Sequence, residues 1–322
     1  MTRMVREVVG MTSFRSARSQ ATHALREKIA LGESRHTAKK SGAASAKIYS
    51  FGTLRNYTQA LTQAAQWYCE QARAGRAGFD GRIGSITIDQ AREYLVIRAT
   101  SVGQKQLDLD RQSLEKVIGE RLQHIKSLAE RVDRLANQPR AYSPAQVVAI
   151  AKHQNGTNAL ATEIAWGAGL RAHELLTLAR TDERPPDTHR SFRPDIFAGF
   201  DNFQRYTVIG KGGLIREVAI PSAIAGRLEL TRHSSPLGVR DRRIWYQQQY
   251  AIGGGQAWSQ SFTSASYQVL GWSTGAHGLR HSYAQARLER LQRIGFSWAD
   301  ALEIVSQEMG HFRKDVTETY LR

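Results

Sequence analysis

Six side chains that could act together in one reaction lie in four short stretches of the chain. The stretches are "GAGLRAHELLTL", "IGKGGL", "AHGLRHSYA" and "MGHFRKDVTETY", and the side chains are those of Arg171, Lys211, His277, Arg280, His311 and Tyr320. The set combines cations and proton carriers with one phenol. Fixed cations stabilise an anionic transition state without a metal, and phosphoryl transfer is the reaction that most needs such donors.

Each stretch taken alone has an ordinary structural explanation. An arginine that opens a helix, or a lysine at a hairpin tip, is usually a solvated surface charge. His277 and Arg280 are three residues apart and share one helix face, as many capping pairs do. His277 and His281 have the i,i+4 spacing of zinc ligands, but no nearby carboxylate completes a metal set. The combination of all four stretches is therefore the informative feature.

The overall charge indicates a polyanionic partner. The 322 residues include 45 Lys and Arg against 29 Asp and Glu, which gives a net charge of +16 and a pI near 10.3. Double-stranded DNA is the partner that such an excess favours, and a basic protein without a nucleic-acid partner is the alternative. No apolar run reaches the length of about 18 residues that a membrane helix needs. The single cysteine, Cys69, fits a reducing compartment and a place in the core.

The first half of the chain predicts a basic arm and a small helical domain. Residues 1–45 are basic and rich in small residues, and we expect them to be loosely ordered with a short helix in "THALREKIAL". Residues 46–137 carry apolar residues at helical spacing from Phe51 onwards, a capping box at Thr87 and Gln90, and further helical patterns at 104–119 and 120–136.

Residues 140–322 predict a second, larger domain. It begins with a capping box at Ser143 and Gln146, and helices are expected at 144–154, at 157–168 and in "RAHELLTL". Alternating residues on both sides of positions 210–213 predict a β-hairpin. The glycine-rich "AIGGGQAWSQSF" lacks a nucleotide-binding fingerprint, so no cofactor is indicated. The expected fold class is mainly α with a small β-sheet or hairpin.

The four stretches, in this order, resemble the motifs of the tyrosine recombinase (phage integrase) family. "GLRAHELLTL" is similar to the first arginine box, "HGLRHSYA" to the second, and "MGHFRKDVTETY" to the final box, where a Gly-His pair precedes the tyrosine by nine residues. Residues 46–137 resemble the family's helical, SAM-like core-binding domain, and residues 140–322 resemble its catalytic domain.

The resemblance implies a role for each of the six side chains. Arg171 and Arg280 would bind the scissile phosphate, Lys211 would protonate the departing 5′-oxygen, and His277 and His311 would bond to the phosphate. Tyr320 would attack and leave a 3′-phosphotyrosine. A free phenol has a pKa near 10 and is ionised in only about one molecule in a thousand at pH 7, so neighbouring cations would favour its reactive form. Glu174 is interpreted as structural, and Tyr283 as a core residue.

The resemblance also implies partners and a setting. The chain would be a site-specific recombinase or integrase of a mobile element or phage, acting on double-stranded DNA as a homo-tetramer, with possible accessory DNA-bending proteins, in a bacterial cytoplasm at the nucleoid. The two domains would lie on opposite faces of the duplex. A type IB topoisomerase-like enzyme and a non-catalytic DNA-binding protein are the alternatives. Two residues follow Tyr320, so either the chain is truncated or its coupling between protomers differs from that of relatives.

Overall fold

The computed structural model describes residues 15–31, 33, 38, 47–129 and 138–321. The chain separates into two compact units, Met1–Val132 and Asp133–Arg322. No helix within the described residues is long and apolar enough to cross a membrane.

The first unit is helical. Within its described residues the named helices are α1 (Ala17–Leu25), α2 (Phe51–Arg73), α3 (Ile88–Ala99) and α4 (Gln104–Ile118), and single 3₁₀ turns occupy Arg26–Lys28 and Ile83–Ser85. The predicted capping box is present at the start of α3, where Thr87 accepts a hydrogen bond from the backbone of Gln90 and the Gln90 side chain returns one. The helices share one apolar core that includes Leu61, Tyr68, Tyr94 and Leu114.

Two expectations for this unit differ from the structure. The short helix expected in "THALREKIAL" is present in part as α1, which begins earlier, at Ala17. The segment around it is not loose, because Ala21 and Leu25 are fully buried in the core of the unit. Residues 1–14, 32, 34–37 and 39–45 of that segment lie outside the described residues. The helix expected at 120–136 is absent over 121–128, because Gly119 adopts a left-handed conformation that ends α4. Residues 130–137 again lie outside the described part.

The second unit combines seven helices within its described residues with two small antiparallel sheets. The helices are α5 (Pro144–Lys152), α6 (Gly156–Gly167), α7 (Ser222–Glu229), α8 (Gly255–Leu270), α9 (Gly278–Arg293), α10 (Trp298–Glu308) and α11 (Lys314–Glu318). Strands β1 (Ala179–Arg180), β2 (Phe203–Ile209) and β3 (Ile215–Pro221) form one sheet, and β4 (Arg232–Asp241) pairs with β5 (Ile244–Tyr250) in the other.

Most of the predicted elements of this unit are present. The capping box of Ser143 and Gln146 starts α5, and the hairpin across 210–213 is formed by β2 and β3. The prediction of a helix in "RAHELLTL" is wrong, because only a single 3₁₀ turn, Glu174–Thr177, is present there before the chain enters β1. The β4–β5 hairpin is an element that the sequence did not predict.

Helix α9 contributes side chains to two apolar clusters of the second unit and so connects them. Leu279 packs in the larger cluster around Trp258 and Phe262. Tyr283 packs in a second cluster with α10 and with Tyr320. The first turn of α9 and the chain after α10 are therefore fixed beside each other. The expectation that Tyr283 is a core residue is confirmed, since it is buried and its hydroxyl donates to Glu308 Oε2 at 2.8 Å.

Candidate functional site

The buried carboxylate of Glu174 lies among three arginines at the centre of the second unit. Its Oε1 accepts a hydrogen bond from Arg171 Nη1 at 2.8 Å, and its Oε2 accepts one from Arg216 Nη2 at 2.9 Å. Arg280 Nη1 lies 3.8 Å from the same Oε2. Burial alone would raise the pKa of the Glu174 carboxyl, but the charges of Arg216, Arg171 and Arg280 outweigh it and hold this pKa well below its usual range. Glu174 is thus a permanent anion with a structural role, as expected.

Arg171 presents its guanidinium partly to solvent. Its side chain is 19% exposed, and its backbone N–H donates to Glu174 Oε2 at 2.8 Å. It does not open an α-helix; it lies in the turn before the 3₁₀ segment. The preceding Gly169 has a φ of 61°, and a Cβ at that position would lie 2.5 Å from the ring of Tyr283. Only glycine therefore allows the chain to pass this close to α9, and this path places Arg171 within hydrogen-bonding distance of Glu174.

Arg280 lies in the first turn of α9 and is fully buried. Its Nη2 donates to the carbonyl of Met309 at 3.1 Å, and its Nη1 donates to the carbonyl of Gly169. Burial, followed by the charge of Arg171, lowers the pKa of Arg280 to about 10, so it stays a cation at neutral pH. Backbone from both neighbouring segments thus fixes its orientation.

His311 follows the left-handed Gly310 and contacts Arg280 directly. Its Nε2 lies 3.1 Å from Arg280 Nη2, and its Nδ1 lies 3.2 Å from Thr317 Oγ1. A guanidinium only donates, so Nε2 accepts and the ring proton resides on Nδ1. Burial and the charge of Arg280 lower the pKa of His311 to about 3. The imidazole is therefore neutral, with one tautomer selected.

Tyr320 lies against the histidines and over Arg280. Its ring centroid is 4.7 Å from that of His281, 5.0 Å from that of His311 and 5.3 Å from that of His277. The central carbon of the Arg280 guanidinium lies 5.6 Å from the same centroid. Tyr320 is 8% exposed, and its carbonyl accepts from Gln285 Nε2 at 3.2 Å. The segment after α10 thus folds back so that the phenol covers the cations.

His277 and Lys211 lie further from the centre. His277 immediately precedes α9 and is exposed, yet the surrounding protein and the charge of Arg280 lower its pKa to about 3. Lys211 is exposed in the turn between β2 and β3. Next to it, a Cβ on Gly210 would lie 3.4 Å from Glu174 Oε1, so the base of the hairpin is close to the cluster. The structure thus brings five of the six residues together, and among the described residues no contact joins the Lys211 side chain to them.

Arg216 is a member of the cluster that sequence reasoning missed. It is fully buried on β3, where it alternates with the buried Val218 and Ile220. A Cβ on Gly310 would lie 2.9 Å from its Cδ, so Arg216 also supports the turn before His311. The sequence signal for Arg216 was a charged residue on the apolar face of a predicted strand, since buried arginines are rare without a partner.

The arrangement suits an anion and a nucleophilic attack on it. Three guanidinium groups face one carboxylate, so the cluster keeps an excess of positive charge beside a phenol and a neutral imidazole. Within the described part of the chain, no group of three or more His, Cys, Asp or Glu side chains could hold a metal ion.

Comparison with known proteins identifies the fold. No family model matches the chain, and no curated protein matches it. Among solved structures, the chain is similar to the XerH site-specific recombinase bound to palindromic difH substrate in a post-cleavage complex, at 14% identity and a TM-score of 0.52, over 95% of this chain and 89% of that one. The pre-cleavage complex of XerH with difH matches at 14% identity and a TM-score of 0.51, over 95% and 90%. The prediction of fold class is confirmed: the chain has the fold of the tyrosine recombinases.

Proposed function

We propose that the chain is a site-specific DNA recombinase that cuts and rejoins duplex DNA through a 3′-phosphotyrosine at Tyr320. The observation that carries this proposal is the position of the Tyr320 ring, which packs on His311 and lies over Arg280, the arginine that shares Glu174 with Arg171. A nucleophile and two phosphate-binding cations thus belong to one cluster.

In the proposed reaction, Arg171 and Arg280 bind the nonbridging oxygens of the scissile phosphate, because paired guanidinium donors match the charge and geometry of a phosphate. Tyr320 releases its phenolic proton to solvent as its oxygen attacks phosphorus, and the bond from phosphorus to the 5′-oxygen breaks. Lys211 gives a proton to that leaving oxygen, so the products are a 3′-phosphotyrosine and a free 5′-hydroxyl. The new bond is again a phosphate diester, and a 5′-hydroxyl reverses the reaction without an energy source.

The histidines assist as neutral groups. His311 accepts from Arg280 through Nε2 and donates from Nδ1, so it positions the guanidinium rather than adding charge. His277, also with a pKa of about 3, can bond to the phosphate as a neutral imidazole. Arg171 and Arg280 then supply the charge that stabilises the transition state.

Access to the phosphate requires a change in the structure. Arg280 is fully buried, and Tyr320 and His311 cover it. The covering segment has only one short helix, α11, with five residues. We infer that binding of DNA displaces residues 311–321 enough for the phosphate to reach Arg280, after which the phenol returns to the phosphate from the side.

The finer parts of the proposal concern the partner and the assembly. Double-stranded DNA is supported by the net charge of +16. A homo-tetramer on DNA, accessory DNA-bending proteins, and integration of a mobile element or phage genome in a bacterial cytoplasm follow from the resemblance of the motifs. Incubation with fragmented host and element DNA, capture of covalent complexes and sequencing of the attached strands would identify the site.

The test of the proposed chemistry is a nicked, end-labelled DNA substrate that traps the covalent complex, analysed on a denaturing gel. The chain should form an adduct that maps to Tyr320, and Tyr320→Phe should bind DNA and form none. An adduct in the Phe variant, or one that maps to Tyr283, would overturn the assignment. Relaxation of supercoiled plasmids without any preferred site would instead favour the topoisomerase-like alternative.

A further inference from the structure

The β4–β5 hairpin carries a concentration of cations that the proposed chemistry does not use. We call residues 240–245 the hairpin tip. Its two-residue turn consists of Arg242 and Arg243, and both have positive φ angles of 56° and 113°. Arg240 precedes the turn and pairs across the strands with Trp245, which is 67% exposed. All four side chains lie at the surface.

The residue types at this turn are unfavourable for the backbone. A two-residue hairpin turn with two positive φ angles is usually Asn-Gly or Asp-Gly, because side chains with a Cβ resist this conformation. Two adjacent arginines at these positions place two positive charges side by side as well. The backbone of the turn gains nothing from these residue types, so their charge is the property that needs an explanation.

The hairpin tip is fixed next to the segment that carries Arg171. Asp241 Oδ1 accepts from the backbone N–H of Gln256 at 2.9 Å, and a Cβ on Gly255 would lie 2.6 Å from the Asp241 carboxyl carbon. The N–H of Gly255 in turn donates to the carbonyl of Ala172 at 2.7 Å. Two hydrogen bonds and the peptide bond between Gly255 and Gln256 therefore connect the tip to Ala172, the neighbour of Arg171.

The three glycines at the start of α8, Gly253, Gly254 and Gly255, make this connection possible. A Cβ on Gly253 would lie 2.0 Å from Asn158 Oδ1, and one on Gly254 would lie 2.5 Å from a Leu176 methyl carbon. Gly255 has a φ of 60°. The stretch "GGG" thus allows the backbone to pack tightly on residues 172–176. This packing fixes the β4–β5 hairpin beside those residues.

The charges of the tip are available for a partner. Arg242 lies 3.6 Å from Asp241, whose other interactions are with the start of α8. Among the residues that the structure describes, Arg240 and Arg243 form no ion pair. The tip therefore presents unneutralised guanidinium groups and an exposed indole on a rigid support, a composition typical of surfaces that contact nucleic-acid backbones.

We propose that the hairpin tip is a second DNA-contacting element of this unit, which binds backbone phosphates of the duplex near the phosphate held by Arg171. The inference rests on the proposed function, since it takes DNA as the partner. It adds a contact outside the reacting site, whose role is to position the duplex without reading its sequence.

The double variant Arg242→Asn and Arg243→Gly tests the proposal, because it removes two charges and gives the turn its preferred residues. The variant should fold and melt at the same or a higher temperature. Binding to duplex DNA should weaken on every sequence, and the slope of log affinity against log salt should fall in magnitude by about two, because each phosphate contact contributes about 0.9. Fluorescence anisotropy with labelled duplexes across a range of salt concentrations measures the slope.

A matched control removes two charges elsewhere. Arg227 and Arg293 are surface arginines that pair with Glu163 and Glu289, and replacing both with Gln causes the same loss of charge. The slope should change by less than half as much in this control. Equal slopes in the two double variants would overturn the proposal, as would an unchanged slope in the hairpin variant.

Two further outcomes separate this inference from the proposed function. If the original chain binds DNA with a steep salt slope but forms no Tyr320 adduct, the proposed chemistry fails and the hairpin can still be tested. If the hairpin variant binds a short duplex as a single copy with an unchanged slope but no longer forms larger complexes, the tip contacts another copy of the chain and not DNA. That result would also overturn the proposal.

Discussion

His311 accepts a hydrogen bond from Arg280 at 3.1 Å, and burial together with this contact lowers the pKa of His311 so that the ring is neutral. Because the guanidinium cannot accept, protonation of His311 Nε2 would break the bond and place two positive charges in contact. A histidine in this position is a neutral acceptor over the physiological pH range. In the proposed reaction, its contribution is the orientation of Arg280.

The pH dependence of stability should report this neutral state. The pKa of His311 is about 3 in the folded chain and about 6.5 when unfolded. Between these values the unfolded state binds more protons, so the contribution is complete above pH 6.5 and is lost as the pH falls. His311→Gln keeps an acceptor and cannot titrate, so it should lose about 2 kcal/mol less free energy of unfolding between pH 7 and pH 5. Urea unfolding at both values measures this, and identical losses would contradict it.

Arg171 and Arg280 should affect cleavage more than binding. Replacement of either by Ala should reduce the rate of adduct formation about a hundredfold or more, since a fixed donor to the transition state is lost. DNA affinity should change little because many other cations contribute. Single-turnover cleavage and anisotropy on the same substrate measure the two effects. Arg293→Ala, at a position 74% exposed on α9, is the control, and parallel losses of binding and cleavage would show that the site arginines are ordinary backbone contacts.

Glu174→Gln should be strongly destabilising although it preserves shape. The carboxylate balances the guanidinium groups of Arg171, Arg216 and Arg280, and loss of its charge leaves buried cations without a counter-ion. We expect a loss of about 3 kcal/mol or more in the free energy of unfolding. The exposed pair of Glu289 and Arg293 provides the comparison, where Glu289→Gln should cost less than about 0.5 kcal/mol. Similar values for both variants would mean that the cluster is not coupled.

Strand cleavage should persist in EDTA. In the proposed reaction the charge on the phosphate is met by Arg171 and Arg280, which take the role that a divalent ion has in metal-dependent nucleases. Adduct formation on a nicked substrate in excess chelator should proceed at an unchanged rate. A strict requirement for magnesium, restored by its addition, would refute the proposed chemistry.

The predictions that succeeded depend on local interactions. The capping boxes at Thr87 and Ser143 involve residues three positions apart, so the sequence is enough to place the helices that follow them. The four motifs also indicated which side chains would meet, and five of the six do so. The roles assigned to them stay predictions.

The failures depend on competing or distant interactions. Apolar spacing over 120–136 suggested a helix, but Gly119 ends α4, and Ser127 N and Oγ bond to Gln104 and Val102. The β4–β5 hairpin was missed because its turn is Arg-Arg and carries none of the usual turn residues. Arg216 was missed because its partner, Glu174, is 42 residues away, a separation that no periodic pattern reveals.

The position of Tyr320 over Arg280 has a consequence for the many small anions of a cell. Inorganic phosphate and free nucleotides resemble the reacting group of DNA, yet with the phenol in place they can reach only the exposed part of Arg171. A single weak contact does not offset the free-energy cost of displacing residues 311–321. A long duplex makes many further contacts, which can offset that cost. On the proposed function, we therefore expect occupancy of the site to depend on the length of the polyanion, and soluble phosphates at millimolar concentration to compete poorly.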